Sequence, residues 1–245
     1  MNQPDPEHHS EIGPSPGTAA AVGRLMALGG TGFLVTSAAG DLMIGAFPRP
    51  DASVGGLVSF YAEHHAQLVT GGRLLALSGF FFALFGVAVW ARIRQASGNP
   101  LLVGLAMIGV VLVAVTTLDA AGTFGLLGGI GGQHAITPAA LQAWHILASS
   151  GSLADGASSF IFLLAVAGAG ILARALPRTA AWSALALAVL QLLPDQLGFL
   201  AALVFPLWAA VAGIVMLLAG RARSSSPATT GRVLARPQSG SSPAI

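Results

Sequence analysis

LLVGLAMIGVVLVAVTTLDAAGTFGL, residues 101–126, decides the fold. Its first eighteen residues carry no charge, and Asp119 is the only ionisable group in the run. A helix needs about 20 mostly apolar residues to cross a hydrocarbon core of about 30 Å. A helix on the surface of a soluble domain keeps one polar face, and this run has none. Stretches 22–47, 69–91, 153–173 and 197–218 qualify on the same grounds. A sixth, 179–193, is short; it gains a turn by starting at Leu176, with Arg178 snorkelling back to the headgroups. These segments predict an all-α, polytopic transmembrane helix bundle of six spans, occupying 22–219.

Composition agrees. Of 245 residues, 54% are hydrophobic and 8% charged, against about 25% charged in an average soluble domain. So few charges do not cover a wetted surface, and a lipid-facing exterior follows. The 11 basic residues are all Arg, set against 9 acids and dispersed along the chain. They read as a topology signal, and nucleic acid is not an expected partner. Arg without Lys, with abundant Ala and Gly, points to a GC-rich bacterial genome. There is no Cys, which removes disulfides, thiolate metal sites and Cys nucleophiles.

The Arg positions set the orientation. In a six-span chain Arg24, Arg92, Arg94, Arg174, Arg178, Arg221, Arg223, Arg232 and Arg236 share one side, and only Arg49 and Arg73 fall on the other. Arg-rich loops stay cytoplasmic. Both termini are therefore expected in the cytoplasm of a multi-pass protein of the bacterial plasma (inner) membrane. Trp90 and Trp182 fall at the inner interface, and Tyr61 and Trp144 at or beyond the outer one. The Pro-rich acidic stretch 1–21 lacks the basic region of a secretory signal. It is expected to be a disordered cytoplasmic tail, as is 220–245.

Outer loops differ in character. Residues 48–68 hold PRPD and then LVSFYAEHHAQLV, a candidate short helix lying on the membrane before the second span. Thr137-Pro138 is a helix start, a hydroxyl cap followed by Pro. An interfacial helix at 138–149, a break at Ser150-Gly151-Ser152 and then the fourth span are expected. GRLMALGGTGF (23–33) resembles GRLLALSGFFF (72–82), but the two run in opposite directions, which excludes a tandem repeat. Ala165, Ala169 and Ala173 form one small-residue stripe, and Ala209 and Gly213 another, as helix packing in lipid uses.

Charges within hydrocarbon cost about 2.5 kcal/mol or more, so each invites a reason. Asp41, Arg73, Asp119 and Asp155 all fall near the outer ends of their spans, with His145 in the adjoining loop. Together they predict a polar pocket opening to the extracytoplasmic face, built around Asp41, Arg73 and Asp119. Structural readings stand beside it. Asp155 and Asp195 at helix starts stabilise those ends. Arg73 pairs with Asp41 or Asp119 to hold helices together, and His64, His65, His134 and His145 are solvated. Asp119 is mid-helix and cannot cap.

No catalytic residue is assigned. GxSxG, a Walker motif and GxGxxG with a ribose-binding acid are absent. A retinal Schiff base needs a Lys the chain lacks. Adjacent His64 and His65 diverge on a helix, unlike metal ligands spaced i, i+4. No span carries a central His for haem. Neither metal nor cofactor is expected.

AWHILASSGSLADGASSFIFLLAVAGAGILARALPRTAAWSALALAVLQLLP, followed by GFLAALVFPLWAAVAGIVMLLAG, resembles a broad group of uncharacterised bacterial six-span integral membrane proteins. The ALPRTAAW hinge and the Pro-Leu-Trp of the last span carry the likeness, mainly over 140–219. It implies the fold and no activity. Three functions remain open. One is a partner-binding or envelope-associated component, its partners the bilayer and an unknown protein. The others are a small proton- or ion-linked transporter and a membrane enzyme acting on a lipid. The inner halves of the spans carry no acid and no His, which counts against full transport.

Overall fold

The computed structural model describes residues 16–133, 136–192 and 195–224. Six helices follow in order: α1 (Pro16–Ile44), α2 (Val54–Ala96), α3 (Pro100–Gln133), α4 (Pro138–Leu172), α5 (Arg178–Gln191) and α6 (Asp195–Ser224). Among the described residues there is no strand. α1 to α4 contain four stretches long and apolar enough to cross a membrane. Large apolar side chains such as Leu28, Phe80, Ile108 and Val211 face outward, so the exterior is as greasy as the core. That fits a membrane protein.

Helix starts follow their local chemistry. Ser53 Oγ accepts from the Gly56 N–H at 3.2 Å, and Thr137 Oγ1 accepts from the Ala140 N–H at 3.4 Å, with Pro138 in the first turn. Asn99 Oδ1 accepts from the Leu101 N–H at 2.9 Å where α3 begins. α5 starts after Pro177 without a side-chain cap.

Two expected breaks are absent. Residues 54–68 do not form a separate helix lying on the membrane; they continue into α2, which has 43 residues. Ser150-Gly151-Ser152 lies inside α4, which has 35. Neither segment contains a Pro beyond its first turn, and a single interior Gly costs only about 1 kcal/mol. At about 1.5 Å per residue α2 is roughly 64 Å long, twice a hydrocarbon core. The tails expected at 1–21 and 220–245 lie mostly outside the described residues; 16–21 and 220–224 are helical.

Neighbours in sequence are neighbours in space, and α6 returns against α1. Gly30 of α1 faces the backbone of Ala209 and Ala210, and Gly213 of α6 faces Met26 and Ala27. A Cβ at either would meet backbone, so these two positions set how closely the helices approach. The small-residue pair of α6 thus packs within the chain. The pairings run in reverse order, so α1 and α6 are antiparallel, as are α1 and α2. Trp208 Nε1 donates to Ser183 Oγ at 3.0 Å, joining α6 to α5.

The buried residues form two clusters. The larger fills the bundle with aromatic rings from four helices. Phe82 (α2) lies 5.2 Å from Phe33 (α1), 5.2 Å from Phe162 (α4) and 5.7 Å from Phe205 (α6). The smaller gathers Ile44, Leu57, Tyr61, Leu68, Leu127 and Leu141 where α2, α3 and α4 run on past the bundle. It forms a cap at one end.

Candidate functional site at the acid-bearing end

Charge is segregated between the ends. Arg24, Arg92, Arg94, Arg174, Arg178, Arg221 and Arg223 lie at one end of the helices, with no acid beside them among the described residues. Asp41, Asp51, Glu63, Asp119, Asp155 and Asp195 lie at the other, with Arg49 and Arg73. Along α2, Arg73 is about 28 Å from Arg92 at the helical rise. Asp41 is about 25 Å along α1 from Arg24. Four of the residues predicted for the pocket therefore share one level, a hydrocarbon thickness from the Arg-bearing end.

They do not all face one another. Arg73 is exposed. Its neighbours Gly71 and Gly72 face α1 and α3 respectively, and each further residue turns about 100°. Asp41 and Asp119 are also exposed. Among the described residues no ion pair joins Arg73 to either of them.

What the fold does bring together is Asp119 of α3 and Asp155 of α4. Asp119 stands one turn from Thr116 on α3, and Asp155 one turn from Ser158 on α4. One turn away, Thr116 Oγ1 lies 3.1 Å from Ser158 Oγ, and Ser158 donates to the Asp155 carbonyl at 2.9 Å. Gln191, at the end of α5, lies against Gly156. Two hydroxyls thus meet at the α3–α4 contact beside Asp119 and Asp155, and α5 brings an amide to the same turn of α4. Asp155 is no helix cap, because α4 begins at Pro138. Asp195 is the first residue of α6.

His145 is elsewhere. It lies in the cap, fully buried, ten residues before Asp155 and so about 15 Å beyond it. Its Nε2 is 3.0 Å from the carbonyl of Arg49, and its Nδ1 is 3.0 Å from the Tyr61 hydroxyl. A carbonyl only accepts, so Nε2 carries the proton and Tyr61 donates to Nδ1. Phe47 stacks on the ring at 4.9 Å. The arrangement fastens α4 to α2 and to the α1–α2 connection, and leaves the imidazole no free nitrogen for a ligand. The expectation that His145 is solvated does not hold.

His64 and His65 each donate from Nδ1 to a backbone carbonyl of their own helix, Phe60 and Ala62, at 3.0 Å. His134 lies outside the described residues. Among the described residues no three His, Cys, Asp or Glu group as metal ligands do.

No family model, curated protein or solved structure matches the chain. Sequence reasoning missed the Tyr61–His145 link and the Thr116–Ser158 contact. The spacing of 116, 119, 155 and 158 held the second one: on antiparallel neighbours, two i, i+3 pairs meet in register.

Proposed function

We propose that this is a six-span protein of the bacterial plasma membrane. Its Arg-bearing end and both termini lie in the cytoplasm, and it serves as a partner-binding or envelope-associated component. The end of the bundle that carries Asp119 and Asp155, with the cap above it, faces the extracytoplasmic side. Chain direction supports six crossings. α4 ends at the Arg-bearing end and α6, antiparallel to α1, starts at the other, so α5 carries the chain back although it spans only about 21 Å.

The observation that carries the reading is the aromatic filling of the bundle. Phe33, Phe82, Phe162 and Phe205 close its centre, beneath the acids and above the arginines, where a transported ion would need polar groups. The placement of Asp119 and Asp155 on facing turns of α3 and α4 favours a second reading, proton-linked transport, since acids within spans mark proton relays.

Proton flux into dye-loaded vesicles separates the two. Reconstituted protein is expected to leak no faster than empty vesicles, with or without Asp119→Asn. A flux that Asp119→Asn abolishes would replace the component reading with transport.

A further inference from the structure

We infer that the Arg-bearing end holds a binding site for one anionic phospholipid, with Arg174 and Arg178 on its phosphate and Trp182 beside its upper acyl chain. The inference rests on the proposal that this end lies at a headgroup layer.

Arg174 follows α4 with φ 52°, the left-handed conformation that helices usually end on with Gly. A side chain there costs about 1–2 kcal/mol. The chain contains 32 Gly and places Arg at this turn. The Arg174 side chain itself is exposed and makes no hydrogen bond or ion pair with a described residue.

The loop is nevertheless fixed. Ala175 and Leu176 are buried, the Ala175 N–H donates to the Ala169 carbonyl at 3.2 Å, and Arg92 Nε donates to the Ala175 carbonyl at 3.3 Å. Arg92 is a strut from α2 that holds the turn carrying the other two guanidinium groups. Arg178, exposed, opens α5, and exposed Trp182 lies one turn on along the same face.

Two cations on a rigid turn, with no acid at that end among the described residues, call for an anion. The apolar flank says which. Trp182 and Leu172 are 58% and 74% exposed, so the surface next to the guanidinium groups is apolar. A free phosphate would leave that surface unused, whereas a phospholipid covers it with acyl chain. Guanidinium groups grip phosphate through paired N–H donors, and tryptophan settles at headgroup depth.

The test is native mass spectrometry of detergent-purified protein titrated with phosphatidylglycerol or phosphatidylcholine. One phosphatidylglycerol is expected to stay bound, and phosphatidylcholine to be lost. Arg174→Gly keeps the turn and removes its strain. It should weaken retention about fivefold, the effect of one basic residue at an anionic surface, while the lipid-free protein melts no lower than before. Arg178→Gln should weaken it similarly. Equal retention by wild type and both variants would overturn the site, as would full displacement by millimolar inorganic phosphate. Labelling of Gly98→Cys, which lies at the same end, reports orientation separately. Labelling from outside the cell with phosphatidylglycerol retained would discard the orientation and keep the site.

Discussion

His145 meets a donor on one nitrogen and an acceptor on the other, and both partners come from other parts of the chain. Tyr61→Phe removes the donor and leaves Nδ1 buried without a partner, which costs about 1–3 kcal/mol. His145→Phe strands the Tyr61 hydroxyl and the Arg49 carbonyl at once. The double variant should therefore be less destabilised than the sum of the singles, with a coupling of about 0.5–3 kcal/mol. Thermal unfolding in detergent measures all three, and strict additivity would show that the link does not hold the cap. None of this was legible beforehand. The chain has a single Tyr, and nothing in its surroundings pairs it with a His 84 positions away. Asp119 was legible as an acid needing a reason, because it interrupts an apolar run. Its partner was misread: the Gly at 151 looked like a helix break, which turned Asp155 into a first-turn residue.

Between helices, small side chains decide what meets what. Gly30 and Gly213 each face the backbone of the opposing helix, so a methyl at either must push α1 and α6 apart. Gly30→Ala and Gly213→Ala should each cost about 1–3 kcal/mol, the range for overpacking a tight contact. Gly104 and Gly122 of α3 face open space. Gly104→Ala and Gly122→Ala should be neutral or gain up to about 1 kcal/mol from helix propensity. Melting temperatures of the four variants check this, and equal losses at all four would remove the seam as its cause. The sequence marked Ala209 and Gly213 as a packing stripe because small residues recurred at helical spacing, but not α1 as their partner. Helix starts were legible at Thr137-Pro138, where cap and Pro act within a few residues. Helix continuity was not. Whether a helix absorbs a Gly depends on neighbours that pack on it, and local sequence does not name them.

At the scale of the molecule, two asymmetries coincide among the described residues: arginines without acids at one end, and at the other the acids and the cap of extended helices. A loop rich in Arg resists translocation during insertion, whereas a cap with buried side chains needs water on its own side to be worth folding. The first favours the proposed orientation, with the α2–α3 turn in the cytoplasm and the start of α2 outside; the second requires only that the cap lie beyond the hydrocarbon. The absence of Cys makes the question clean, because a single introduced thiol is the only one present. Gly98 and Gly55 are exposed, and a side chain at either meets nothing within 4 Å. In intact spheroplasts, a membrane-impermeant maleimide should label Gly55→Cys and leave Gly98→Cys untouched until the membrane is opened. The reverse pattern would put the acid-bearing end in the cytoplasm. Labelling of both from outside would mean that α2 does not cross the bilayer, and since α1 and α3 pack along its length, the bundle would then have no place in one.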